Sequence, residues 1–322
     1  MRFAFTEDQV AFRDAVRDVL AKECTPATVR AAWAGGGSED AWAALGAMGV
    51  LGVLAPEAAG GLGLTAVDLV LLLEESGFAA LPEPLVEHGC VAIPLLDGPE
   101  PELLDGSVRV TAPFHHDTVV PYADHADWFL CFDAGAIRLV PRAAVELEPL
   151  ESVDGARRLA RVRAPDDAGA VVADGSAVKQ AFERGAFGTA AQLVGLARRM
   201  IEMTVEYAKG RRQFGVPIGS FQAVKHHLAD ARIALEFARP LVYRAAWSLT
   251  RGDADASTHV SMAKSTASDA AVLAARRALQ CHGAIGYSYE YDLHLFMKRT
   301  WALAAAWGDA AWHRDRVGRA IL

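Results

Sequence analysis

The stretch Arg211-Arg212-Gln213-Phe214-Gly215-Val216-Pro217-Ile218-Gly219-Ser220-Phe221-Gln222 interrupts a half of the chain that is otherwise patterned for helix. Two glycines and a proline end any helix running into it, because glycine loosens the backbone and proline removes an amide donor. On its C-terminal side helical spacing resumes through Ala223-Val224-Lys225-His226-His227-Leu228-Ala229-Asp230, and on its N-terminal side the same periodicity reaches back to Val178. Later breaks fall at Arg251 to Asp255 and at Gly283 to Tyr291. Residues 174–322 are therefore expected to form a bundle of long helices.

Upstream of Val178 the texture changes. Between residues 107 and 173, short runs such as Val108-Arg109-Val110-Thr111, Trp128-Phe129-Leu130-Cys131-Phe132 and Ala136-Ile137-Arg138-Leu139-Val140 are punctuated by Asp, Pro and Gly, which marks a small β segment. Residues 1–106 read as helical again. Thr6 with Gln9 forms a capping-box pattern ahead of Phe12, Val16, Val19 and Leu20 at helical spacing, and a second helix is expected over Asp40 to Met48. Thr65, answered by Asp68, caps a third whose apolar residues Val67 and Leu69 to Leu73 run almost all round it, so it belongs at the centre of this domain. The expected fold is mainly α with a small β domain, divided at 1–106, 107–173 and 174–322.

Composition narrows the function. Apolar residues make up 52% of the 322 against 22% charged, which allows a sizeable core. A net charge of -8 offers no general attraction to nucleic acid or to anionic lipid. Cys24, Cys90, Cys131 and Cys281 are scattered, with no C-x-x-C pair for metal or dithiol chemistry, and read as reduced packing residues. The start, Met1-Arg2-Phe3-Ala4-Phe5-Thr6-Glu7-Asp8, carries acids where a secretory signal needs an apolar run, and no segment suits a membrane span; a cytoplasmic location is the expectation.

The quoted stretch resembles the R-x-x-F-G-x-x-I-x-x-x-Q signature of the acyl-CoA dehydrogenase family. A second block, Gln280-Cys281-His282-Gly283-Ala284-Ile285-Gly286-Tyr287-Ser288-Tyr289-Glu290-Tyr291, resembles that family's Q-x-x-G-G-x-G-[FY]-x-x-E-[YF] stretch, departing from it at Ala284. Pro56-Glu57 with Gly60, Gly61 and Gly63 matches its P-E-x-x-G-G-x-G loop. The resemblance implies a helical N-terminal domain, a β middle domain and a C-terminal four-helix bundle. It also implies FAD as cofactor, with Arg211, Gln213, Phe214, Gln222, Gln280, Gly283 and Ala284 reaching across a subunit interface to its ADP end. The physical sense is that Arg211 pairs with a pyrophosphate, Phe214 and Gln222 offer a flat apolar face and an amide, and glycine admits close backbone approach.

Family chemistry removes an α-proton from an acyl-CoA thioester with a carboxylate while hydride leaves the β-carbon. So weak a carbon acid demands a desolvated base. Counted from Gly286, the usual base position is Trp307; the minority position, 26 residues before Arg211, is Gly185. Neither is an acid. Glu183 lies two residues from Gly185 and faces elsewhere, since two helical steps turn a side chain by about 200°; Asp309 is similarly displaced from Trp307. Nothing between residues 107 and 173 matches the T-E-P-x-x-G-S-D and W-[IS]-[TS] motifs that hold the flavin ring. No residue of this chain is therefore assigned a catalytic role. Such a chain resembles the short subunit of heterotetrameric (α2β2) acyl-CoA dehydrogenases that act on steroid side-chain thioesters. The resemblance implies a full-length partner that supplies ring pocket and base, an acyl-CoA substrate and an electron-transfer flavoprotein as acceptor. A self-sufficient homo-oligomer with an unusual base and a flavin-free scaffold are the rival expectations.

Other candidates read as structural. His226 and His227 with Asp230 do not converge on a metal, because adjacent helical residues point about 100° apart. His115-His116-Asp117 reads as a polar turn. Lys298 and Arg299, after Asp292 and His294, offer cations for phosphate or simply a solvated face.

Overall fold

The computed structural model describes residues 4–36, 38–114, 118–133 and 135–322; the His115-His116-Asp117 turn lies outside them. The N-terminal part comprises α1 (Glu7–Glu23), α2 (Pro26–Trp33), α3 (Glu39–Ala47), α4 (Ala66–Ala79) and the short α5 (Pro101–Asp105). Both capping boxes form. The Thr6 amide donates to Gln9 Oε1 at 2.9 Å and the Thr65 amide to Asp68 Oδ2 at 2.9 Å, while Gln9 Nε2 donates to Asp68 Oδ1 at 2.7 Å and so joins the two helix starts. Helix α4 is buried from Leu69 through Gly77 because it lies between α1 and the bundle.

Strands β1 (Val110–Thr111), β2 (Val119–Val120), β3 (Trp128–Phe132), β4 (Ala136–Pro141), β5 (Glu146–Pro149), β6 (Ala160–Arg163) and β7 (Ala170–Asp174) make up the middle part. They form a four-stranded sheet ordered β1-β3-β4-β7 and a three-stranded one ordered β2-β6-β5. Trp128 pairs with Pro141 and Phe132 with Ile137 in regular register, while the pairing of β4 with β7 shifts at a bulge between Ile137 and Arg138. The alternation puts Phe129 and Val140 into a small separate core with Val120 and Val162.

The C-terminal part is built from α6 (Ala177–Gly210), the hairpin β8 (Arg212–Gln213) and β9 (Val216–Pro217), then α7 (Gln222–Arg251), α8 (Ala256–His282), α9 (Leu293–Ala305) and α10 (Ala310–Ile321). Buried Ala263, Ala267, Ala271, Ala274 and Ala278 on α8 let its neighbours approach closely. At the crossing of α4 and α6 the backbones touch. A Cβ at Gly77 would lie 2.1 Å from the Gln192 carbonyl, and one at Gly195 would lie 1.9 Å from that of Glu74, so both positions require glycine.

Buried charge ties the parts together. Glu75 on α4 accepts from Arg17 at 2.8 Å and from Arg198 of the bundle at 2.6 Å. Arg299 on α9 pairs with Asp154 of the β part and donates to the Leu81 carbonyl at 2.7 Å, thereby joining all three parts at one guanidinium. Burial opposes its charge, but the Asp154 carboxylate prevails and raises its pKa. Of the two cations read from the sequence after the glycine block, Arg299 is thus committed internally. Among the described residues no helix is long and apolar enough to cross a membrane.

Candidate functional site

The hairpin is closed by Phe214 and Gly215, with φ of 52° and 82°. Two successive left-handed residues are the backbone of a type I′ turn, which matches the twist of paired strands and ordinarily takes Asn-Gly. A phenylalanine there costs about 1–2 kcal/mol. The turn also drives the ring outward, leaving Phe214 93% exposed, with an edge-on neighbour in Phe221 at 6.2 Å. Both features disfavour Phe214 within this chain.

Its companions are equally uncommitted. Arg211, Gln213, Gln222, Gln280, Gly283 and Ala284 are all exposed. The Arg211 backbone is fixed, its amide donating to the Tyr207 carbonyl at 2.8 Å and its carbonyl accepting from Ile218 at 2.8 Å, while no acid pairs with its side chain among the described residues. Gln213 reaches only the Arg212 carbonyl at 2.8 Å. Gly283 ends α8 at φ 64°, ψ -144°, a conformation open essentially to glycine alone. Ala284 sits one step into the following 3-10 turn, Gly283–Tyr287, without a positive φ, so its methyl replaces the signature glycine without strain. Tyr207, at the end of α6, stacks on His282, at the end of α8, with ring centroids 4.3 Å apart. The two sequence blocks therefore share one end of the bundle. On the flank of that end, Arg277 of α8 donates to His227 at 3.0 Å and to Asp230 at 3.0 Å, which gives both residues an interhelical role.

The two candidate base positions, far apart in sequence, touch. The indole of Trp307 lies on Gly185 so tightly that a Cβ on Gly185 would sit 2.3 Å from the ring. Trp307 is 0% exposed and, at φ 56°, left-handed. Phe114 and Phe182 pack around it with centroids 6.0 and 6.3 Å away.

Two side chains hold three carbonyls of the main chain around Trp307. His313 Nε2 lies 2.9 Å from the Trp307 carbonyl and its Nδ1 3.1 Å from Ser261 Oγ. A carbonyl only accepts, so Nε2 carries the proton and Nδ1 accepts from the serine. Burial lowers the His313 pKa to about 4 and keeps it neutral. Lys264 Nζ donates to the carbonyls of Ala304 at 3.1 Å and Gly308 at 2.9 Å; burial pushes its pKa down to about 7 against the pull of Asp309.

The displaced acids have other work. Glu183 is buried and paired with Arg316 of α10. Asp309 caps α10, accepting from the Trp312 amide at 2.8 Å. One acid that the sequence reading passed over is Glu87, in the wide helical turn Val86–Ala92. Burial raises its pKa, with Arg157 pulling the other way, and it lies beside Trp307 and Arg299. Its signal was an acid inside the apolar run Leu85 to Ile93. A raised pKa is what a base for a carbon acid needs, but Glu87 is 4% exposed and enclosed by guanidinium groups and the packed indole.

Comparison with known proteins identifies the family. Residues 6–102 match the family described as "Acyl-CoA dehydrogenase, N-terminal domain", and residues 174–322 match "Acyl-CoA dehydrogenase, C-terminal domain". The chain is 34% identical over 308 residues to the acyl-CoA dehydrogenase IpdE2 of Mycobacterium tuberculosis, covering 91% of both proteins. It is 32% identical over 307 residues to IpdE2 of Mycolicibacterium smegmatis, covering 91% of this chain and 92% of that protein. Among solved structures, a chain of the Tcur3481-Tcur3483 steroid ACAD superposes with a TM-score of 0.88 at 26% identity, covering 98% of each. In the ChsE4-ChsE5 complex of Mycobacterium tuberculosis a chain superposes with a TM-score of 0.89 at 23% identity, covering 99% of this chain and 98% of that one, which supports the fold alone. Three-part architecture, signature residues and near full-length relatives converge, and the chain belongs to the acyl-CoA dehydrogenase family, whose members are FAD-dependent oxidoreductases.

Proposed function

We propose that this chain is one subunit of a hetero-oligomeric acyl-CoA dehydrogenase, holding the ADP end of FAD while a full-length partner supplies the flavin-ring pocket and the base. The observation that carries this reading is Phe214, a bulky ring in a left-handed turn and 93% exposed, near Arg211, whose side chain meets no acid among the described residues. A sidechain that is costly both in backbone and in solvation is explained by a surface outside the chain. The exposed set has the chemistry of a dinucleotide tail. Arg211 presents a guanidinium for two phosphate oxygens, Phe214 a face for stacking, Gln222 and Gln280 amides, and Gly283-Ala284 a close backbone approach.

Bound FAD supplies the hydride acceptor of the α,β-dehydrogenation. This chain holds the nucleotide and contributes no proton acceptor, because both candidate base positions are occupied by one packed indole and a glycine with no room for a side chain. The partner's carboxylate takes the α-proton in this reading, and electrons pass on to an electron-transfer flavoprotein. Similarity to a steroid ACAD chain supports a steroid side-chain thioester as the substrate class.

Co-expression with a full-length acyl-CoA dehydrogenase subunit tests the reading through flavin stoichiometry. Two FAD per four chains are expected in the wild-type complex, with loss of flavin on combining Arg211→Ala and Gln222→Ala. An unchanged flavin content in that variant gives the surface to assembly alone. A yellow, active homo-oligomer of the isolated chain removes the partner from the reaction.

A further inference from the structure

Arg184 on α6 stands apart from the other arginines that the fold takes in. Arg17 and Arg198 hold Glu75, Arg109 reaches Glu83, Arg299 pairs with Asp154, and Arg199 lies over the rings of Phe78 and Phe296. Arg184 is half-buried, and no acid, carbonyl or ring partners it among the described residues. Its nearest ionisable neighbour is Cys90, a thiol that burial keeps protonated and therefore without charge. Burial accordingly lowers the Arg184 pKa with nothing of consequence opposing it.

A guanidinium withdrawn from water without a counter-charge is unfavourable, and folds normally pair it. Here it opens instead onto a cleft of about 220 Å³ between the start of α4, the first third of α6 and the end of α7. Leu54, Leu64, Phe187 and Leu249 give part of its wall hydrocarbon, with the hydroxyls of Thr65 and Thr250 and the Arg184 guanidinium on the polar part. One fixed cation beside a hydrocarbon wall in a recess of this size suits a single negative charge carrying a short hydrocarbon tail. A phosphate dianion would strip more water than one guanidinium replaces, and a thioester carbonyl brings no charge.

We propose that this cleft is a binding site for a free alkyl or aryl monocarboxylate, its carboxylate on Arg184 and its tail between Phe187 and Leu249. The site is separate from the exposed dinucleotide surface, so it stands or falls independently of the flavin reading.

Calorimetric titration of the purified complex with sodium hexanoate tests the proposal, with hexanol and inorganic phosphate as controls. Saturable binding at one hexanoate per copy of this chain is expected, with hexanol and phosphate each at least tenfold weaker. Arg184→Gln is expected to weaken hexanoate at least tenfold. Thr250→Trp, at an exposed rim position, is expected to abolish binding without moving the unfolding midpoint, which guards against misfolding of the arginine variant. Hexanol binding as well as hexanoate, phosphate binding as well as hexanoate, or wild-type affinity in both variants overturns the proposal. So does hexanoate binding by the isolated chain that is lost in the complex, since a partner's acid then occupies Arg184.

Discussion

Phe214-Gly215 and Trp307-Gly308 are the same local device put to opposite use. Each sets a large aromatic residue in left-handed backbone, at φ 52° and 56°, followed by a glycine that is left-handed too. The Trp307 ring is wholly buried on Gly185, with its flanking carbonyls held by Lys264 and His313, so packing within the chain offsets the strain. The Phe214 ring is 93% exposed and, among the described residues, meets only the Phe221 ring edge-on. The contrast separates a ring packed within the chain from one left at its surface. On the proposed reading, the position where a base is expected has become core, while the position where a nucleotide is expected has stayed surface.

Truncating the buried ring should give the largest effect. Trp307→Ala is expected to destabilise the isolated chain by about 3–5 kcal/mol in denaturant unfolding, through lost burial and the cavity beside Gly185; a loss below about 1 kcal/mol would show that the indole is loosely held and break the contrast. Next comes acid. The folded His313 pKa is about 4 against an ordinary 6.5, so the unfolded chain binds the extra proton between those values. This contribution is fully present above pH 6.5 and is lost as pH falls toward 4, amounting to up to about 3 kcal/mol. The slope of unfolding free energy over that window should flatten in His313→Gln, and an unchanged slope would remove His313 from the account.

On the open side, Arg211→Ala should leave stability within about 0.5 kcal/mol while weakening FAD in the complex roughly 10- to 100-fold, the value of a charge-assisted contact. Flavin retention after dialysis reads the second, and a stability loss comparable to that of the tryptophan variant would make Arg211 structural. The smallest effect runs the other way. Phe214→Gly should stabilise the isolated chain by about 1 kcal/mol by relieving the left-handed strain, and any destabilisation would mean that the ring serves the fold after all.

Much of this was legible before any coordinates. Capping pairs at Thr6 and Thr65 set helix starts, period-two runs gave β3 and β4, and the glycine-proline break set the hairpin, because these signals act over a few residues and tertiary packing reinforces them. The seven cofactor candidates followed from the resemblance of two sequence blocks to the family's signatures. Missed were Glu87 and Arg184, single charges in apolar surroundings whose meaning lies in neighbours distant along the chain.

The sequence alone determined that no carboxylate stands at either base position and that the dinucleotide signature is nearly intact, since residue identity at a register position needs no coordinates. Only the tertiary structure decided that Gly185 and Trp307 meet, that the indole closes the space between them and that Phe214 faces outward. Contact between distant residues depends on how helices cross and how a turn aims its side chain, and those follow from packing the whole chain at once.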